Sequence, residues 1–288
     1  MTLDRIDRLE IRARGLRFAA LRAGAGPRLA LVLHGFPDHA DSFVDLLRAL
    51  AAAGFTAVAP YLRGYAPSEP AADGCYDLVE LGADVVAMPA ALGFRRAAVI
   101  GHDWGALSAY AAAGLSPETV SCMVTLAVPP LPLFLRNLAR DPAQLRRSGY
   151  IGLFQLPGIA ERRLAADDFA LIDHLWRTWS PGLAPDPARL AALKATFRAP
   201  GTVDAALAYY RHLAPRHLAS FRRSLALSRR PLRVPTRILA GQGDGCIGPR
   251  MFEGADDLHV LPGVGHFMHL EAPALVHRLV LDFVGTRA

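Results

Sequence analysis

The chain has 288 residues, 52% of them hydrophobic, and a formal net charge of +6. That suffices for one large α/β domain or for a domain carrying an insertion. Its basic charge is almost all arginine, with Lys194 the single lysine, and it is scattered rather than clustered with aromatics, which argues against a nucleic-acid interface. Cys75, Cys122 and Cys246 are odd in number and far apart, so neither a disulfide framework nor a CxxC metal pattern follows.

The N-terminal stretch is charged and lacks the apolar core of a signal peptide. No run of about 18 apolar residues suggests a membrane span. The expectation is a cytoplasmic protein with no membrane partner. Leu9–Arg14 and Leu16–Leu21 alternate weakly around Gly15 and read as a hairpin. Leu29–Leu33 is a buried strand that ends at His34-Gly35-Phe36-Pro37-Asp38. Ser42–Ala53 has helical spacing and stops at Gly54, and Thr56–Ala59 is a further strand before Pro60-Tyr61-Leu62-Arg63-Gly64-Tyr65. Leu78–Leu92 is a helix.

Next comes the segment that carries the most chemistry. Ala97–Ile100 is a short apolar strand, Gly101-His102-Asp103-Trp104-Gly105 a glycine-flanked turn, and Ala106–Ala113 a helix of small residues. This has the form of a nucleophile elbow, G-x-Nu-x-G, with aspartate where serine is usual. A carboxylate is already ionised at neutral pH and can attack an sp3 carbon to form an alkyl-enzyme ester. A second step must then hydrolyse that ester. The competing reading makes Asp103 an N-cap of the following helix.

Val120–Val128 is the next strand. Strands alternating with helices predict a mostly parallel sheet covered on both faces, with ligands beyond the carboxyl ends of its strands. The alternation stops at Pro129. From there to Ser228 the sequence shows helical segments, Ala166–Trp179, Pro187–Phe197 and Thr202–His212, punctuated by prolines. The expected organisation is a core of residues 1–128 and 229–288 with a helical lid, residues 129–228, inserted over the rim. The core resumes with strands Thr236–Ala240 and Leu258–Leu261 and a final helix, Glu271–Val284.

Three further features fit a nucleophile at Asp103. The amide after the nucleophile and one from the early loop form the oxyanion hole in this architecture, which assigns the N–H groups of Trp104 and Phe36. Gly263-Val264-Gly265-His266-Phe267 follows the last strand, where a histidine can reach the elbow and activate water; His269 is its rival. Asp244 in Gly241-Gln242-Gly243-Asp244-Gly245 would orient His266, the alternative being a turn aspartate. The order nucleophile, acid, histidine is that of an α/β-hydrolase.

With HGFPD at His34–Asp38, RGY at Arg63–Tyr65, GHDWG at Gly101–Gly105, GDG around Asp244 and GVGHF around His266, the chain resembles the epoxide hydrolase family of α/β-hydrolases. GHDWG is shared with haloalkane dehalogenases, which leaves a dehalogenase as the alternative. The inserted segment favours the first. Tyr150-Ile151-Gly152-Leu153-Phe154-Gln155 and Tyr209-Tyr210-Arg211 are similar to the family's two lid-tyrosine segments. The resemblance implies that Tyr150 and Tyr210 hold the epoxide oxygen and supply its proton, Tyr209 being the neighbour not chosen. It implies a small apolar epoxide and water as substrates, a vicinal diol as product, and no cofactor or metal. Homo-oligomerisation is left open. A non-catalytic ligand-binding protein is the third class, opposed by the five side chains Asp103, His266, Asp244, Tyr150 and Tyr210. Two departures stand out: Pro60 replaces a residue often acidic in relatives, and the interval from Asp244 to His266 is short, so its helix should be reduced. Leu131, Leu133, Phe134, Leu153, Phe154, Leu156, Trp176 and Trp179 either line a pocket or pack the lid.

Overall fold

The computed structural model describes residues 5–287. Strands β1 (Asp7–Ala13) and β2 (Leu16–Ala23) form an antiparallel hairpin. Arg14 and Gly15 both have positive φ, as a two-residue turn with the twist of a hairpin requires. Strand β3 (Arg28–Leu33) leads through a 3-10 turn, Ala40–Phe43, into α1 (Val44–Ala52). Then come β4 (Phe55–Pro60), α2 (Leu78–Ala91), β5 (Ala97–His102), α3 (Trp104–Leu115) and β6 (Val120–Leu126). The side chain of Asp77 caps α2 by accepting the Glu80 N–H.

Seven helices lie between β6 and the next strand: α4 (Leu131–Leu138), α5 (Pro142–Arg147), α6 (Gly149–Phe154), α7 (Ile159–Trp179), α8 (Pro187–Arg198), α9 (Thr202–His212) and α10 (Leu218–Ser228). The chain closes with β7 (Thr236–Gly241), β8 (Leu258–Leu261), α11 (Met268–Glu271) and α12 (Pro273–Val284).

The eight strands form one sheet in the order β1-β2-β4-β3-β5-β6-β7-β8. Pairing is antiparallel from β1 to β4 across β2 and parallel from β4 to β8. Helices cover both faces, so β4 and β5 are buried along their whole length and read as continuous apolar runs. Helix α3 is buried from Trp104 to Ala113, which its alanines and glycines allow. The segments that follow β3, β5, β7 and β8 share one rim of the sheet, and the inserted helices close over it. Trp176 Nε1 of α7 donates to the Pro37 carbonyl at 2.8 Å, and the Tyr209 hydroxyl of α9 donates to the Arg63 carbonyl at 2.9 Å.

The differences from the sequence reading have local causes. Strand β6 stops at Leu126 because Ala127 turns to positive φ. The segment expected as a helix from Ala166 is the second half of α7, which breaks where Asp167, Asp168 and Phe169 have positive φ. The last helix divides at Pro273, because a proline pushes the preceding residue, Ala272, out of helical geometry. Between β7 and β8 only a 3-10 turn, Pro249–Phe252, replaces a helix, as the short interval implied. Among the described residues no helix is long and apolar enough to cross a membrane.

Candidate active site

Asp103 occupies the turn between β5 and α3 with φ 53° and ψ −117°. A non-glycine residue in such a sparsely populated region costs of order 1–3 kcal/mol. The surroundings enforce it. Its N–H is held by the Leu126 carbonyl at 3.2 Å and its C=O accepts from Ala106 at 2.9 Å. Two glycines permit the close approach: a Cβ on Gly105 would overlap the Leu33 carbonyl, and one on Gly35 would run into the Asp103 side chain. The carboxylate makes no capping bond to α3. Its Oδ1 instead accepts the Phe36 N–H at 2.7 Å, and the Trp104 N–H bonds the same carboxylate. Burial raises the Asp103 pKa; His266 and these two amides offset only part of the rise.

His266 lies on the loop between β8 and α11, fully buried. Its Nδ1 is 2.9 Å from Asp244 Oδ2 and its Nε2 is 3.7 Å from Asp103 Oδ2. A carboxylate acceptor places the proton on Nδ1 and leaves the Nε2 lone pair towards Asp103. The other oxygen of Asp244 accepts the N–H groups of Cys246 at 2.6 Å and Ile247 at 2.9 Å, so that carboxylate is fixed. Burial alone would lower the His266 pKa, but the Asp244 and Asp103 carboxylates outweigh it and the pKa is raised. Trp179 of α7 steadies the loop: its carbonyl accepts the His266 N–H at 3.0 Å and its ring packs edge-on to the imidazole.

A cavity of about 370 Å³ opens on Asp103, lined by Trp104, Leu107, Phe134, Tyr150 and Tyr210 among others. Tyr150 comes from α6 and Tyr210 from α9, with ring centroids 5.8 Å apart. The Tyr210 hydroxyl is buried beside the Trp104 and Tyr150 side chains, while that of Tyr150 is 3.6 Å from Cys246 Sγ. Burial, with Asp103 adding to it, raises both phenols well above their usual pKa, so they stay protonated. Tyr209 faces elsewhere and is spent on the Arg63 carbonyl. The structure thus brings together Asp103, His266, Asp244, Tyr150, Tyr210 and the amides of Phe36 and Trp104. Of the apolar residues noted in the sequence, Leu131 and Phe134 line the cavity. Phe154, Trp176 and Trp179 pack against Phe36, Phe267 and His266 respectively. A larger groove, about 690 Å³, shares Leu107 and Leu131 with this cavity but holds none of the candidate catalytic side chains.

The sequence reading did not foresee a second buried cluster behind the elbow. His269 Nε2 lies 3.4 Å from Asp38 Oδ2 and its ring stacks on Phe43, so it is turned away from Asp103. His102 Nε2 donates to the His266 carbonyl at 3.0 Å and its ring stands 4.8 Å from both His266 and His269. Asp38 comes from the loop after β3 and His269 from α11, far apart in sequence, and no local pattern signals their meeting. No metal-ligand cluster falls at the site among the described residues. Cys75, Asp77 and Glu80 converge elsewhere, where Arg14 and Arg223 already balance the carboxylates.

Comparison with known proteins places this geometry. A family model described as alpha/beta hydrolase fold matches residues 31–273. Epoxide hydrolase 3 of Mus musculus is 31% identical over 95% of this chain and 75% of its own length. Epoxide hydrolase A of Mycobacterium tuberculosis is 28% identical over 94% of each. The crystal structure of Epoxide Hydrolase A from Mycobacterium thermoresistibile superposes with a TM-score of 0.82 at 27% identity, covering 99% of both chains.

Proposed function

The chain belongs to the epoxide hydrolase family of α/β-hydrolases, and from that premise we propose how its residues divide the work. The reaction is hydrolysis of an epoxide, a hydrolase activity. Residues 129–228 act as the lid and residues 1–128 and 229–288 as the core.

In the first step Asp103 Oδ2, the oxygen not taken by the Phe36 amide, attacks an epoxide carbon. The ring C–O bond breaks, and the oxygen takes a proton from a phenol as charge develops on it. Alkoxide is a poor leaving group in water, so donors placed at that oxygen lower the barrier. In the second step His266 Nε2 takes a proton from water, and the hydroxide adds to the ester carbon of Asp103. The oxyanion forms on Oδ1, where the Phe36 amide already points, with the Trp104 amide beside it. Collapse releases the diol, whose oxygen is reprotonated by the imidazolium. The proton left on the acid returns to the phenolate. Asp244 holds the tautomer and stabilises the imidazolium.

The observation that carries this reading is the pair of phenols facing Asp103 across one cavity. The alternative, a haloalkane dehalogenase, is not favoured: the relatives are epoxide hydrolases, and a halide has no use for a proton donor. The cavity's apolar walls and modest size support a small apolar epoxide, with water as the second substrate. Turnover on a panel of terminal and aryl epoxides and on a matched panel of haloalkanes tests it. Diol formation without halide release is expected; halide release with no diol would overturn it.

A further inference from the structure

The two phenols have different neighbours: Tyr210 lies beside Trp104 and Tyr150, whereas Tyr150 has a thiol behind it. The Cys246 thiol is 1% exposed and its sulfur is 3.6 Å from the Tyr150 hydroxyl. The Tyr210 hydroxyl, on a residue 5% exposed, has no such thiol beside it. We propose that Cys246 is a further hydrogen-bond donor of the ring-opening site, standing behind Tyr150 and stabilising that phenol when it gives up its proton. This rests on the role given above to the two phenols.

Cys246 is held where such a donor must stand. It sits in the turn that begins with Asp244. Its N–H donates to Asp244 Oδ1 at 2.6 Å, and its carbonyl accepts from Gln144 Nε2 of α5 at 2.8 Å. The same glutamine accepts the Gly248 N–H at 2.9 Å, so the turn is clamped to the inserted helices on both sides of the cysteine. The thiol is thus fixed against Tyr150 by the loop that carries the triad acid.

The chemistry needs a donor there. When the opening ring takes the Tyr150 proton, a phenolate is left in a buried site. An S–H directed at that oxygen spreads the charge, and hydrogen bonds in series strengthen one another in low dielectric. No bond to sulfur is made or broken: the one proton that moves goes from the Tyr150 oxygen to the alkoxide. Burial, with the Asp244 and Asp103 charges nearby, raises the thiol pKa well above its usual value. The group is therefore an S–H donor, and not a thiolate that would itself be alkylated by the epoxide.

Single-turnover alkylation, followed by rapid quench and mass of the enzyme adduct, tests this with Cys246→Ala, Cys246→Ser, Tyr150→Phe, Tyr210→Phe and the double variant Tyr150→Phe/Cys246→Ala. Cys246→Ala should slow alkylation about three- to tenfold, the scale of one weak neutral donor. Cys246→Ser, which keeps a donor in the same place, should lie within about twofold of wild type. Ester hydrolysis should be unchanged in both. Cys246→Ala should slow Tyr210→Phe by its usual factor but have no effect once Tyr150 is phenylalanine. Wild-type alkylation by Cys246→Ala, a Ser variant as slow as the Ala variant, or the same loss in the Tyr150→Phe background would each overturn the inference. If Tyr150→Phe itself alkylates at the wild-type rate, the assignment of the phenols falls, and the inference with it; that outcome is distinct from the other three.

Discussion

His266 Nε2 faces Asp103 Oδ2 at 3.7 Å with no hydrogen-bond partner, while the opposite nitrogen is fixed at 2.9 Å from Asp244. The gap is too long for a direct bond and leaves the imidazole free to meet a water once Oδ2 carries a substrate. His266→Gln should therefore alkylate and then stall. Mass spectrometry after mixing with epoxide should show a stable adduct on Asp103. Steady turnover by this variant would move the base elsewhere, and His269 could not replace it while it faces Asp38.

The oxygen of the first diol should come from the protein. With Oδ2 as the attacking atom, single-turnover hydrolysis in oxygen-18 water should put the label into the Asp103 carboxylate. The first-cycle diol should be unlabelled. Label found directly in that diol would mean that water opens the ring and no ester forms.

Tyr150→Phe and Tyr210→Phe should each slow alkylation roughly tenfold to a thousandfold, since loss of an oxyanion donor costs about 2.7–4 kcal/mol and two donors partly cover for each other. The double variant should be almost unable to form the ester, yet folded, since each change removes only a hydroxyl. Ester hydrolysis should change little. Wild-type alkylation by the double variant would make the phenols packing residues.

The pH profile should separate the two steps. A base acts unprotonated, and the His266 pKa is raised, burial being outweighed by Asp244 and Asp103. Ester hydrolysis should therefore fall as pH drops through the histidine pKa. Esterification removes the Asp103 charge, one of the raising influences, so the limb in single-turnover hydrolysis should lie below the His266 pKa of free enzyme titrated by NMR. The phenols are raised well above 10 and contribute no basic limb below that pH. A hydrolysis rate flat between about pH 5 and pH 9 would exclude His266 as the base.

Asp38 should contribute stability and its acid dependence. Burial would raise its pKa, but the His269 hydrogen bond and the nearby histidines hold it well below the carboxylate range. A depressed folded-state pKa gives stability that is fully present above the unfolded value, about 3.9, and is lost as pH falls through the folded one. Asp38→Asn should cost about 1–3 kcal/mol near neutral pH in urea unfolding. Its stability should also depend less on pH below about 4 than wild type does. Equal acid slopes in the two proteins would remove Asp38 from this role.

Much of this was written in short-range signals. Apolar runs of strand length, the glycines flanking Asp103 and the short segments around His34, Tyr150, Tyr210, Asp244 and His266 pointed to the sheet, the elbow and the family, because each is a pattern among neighbours along the chain. A proline or a positive φ displaced some element ends, at Ala127 and Ala272, since the backbone yields there to local sterics that periodicity does not report.

Tertiary structure alone decided which side chains meet. Tyr209 and Tyr210 are adjacent on α9, about 100° apart around the helix axis, and only the packing of that helix sets one on the Arg63 carbonyl and the other in the cavity. His266 and His269 are likewise near neighbours, parted because Asp244 claims one and Asp38 the other. Cys246 read as an isolated thiol until α6 laid Tyr150 against it. These contacts join residues far apart in sequence, and their geometry follows from helix phase and loop docking, for which the sequence carries no local pattern.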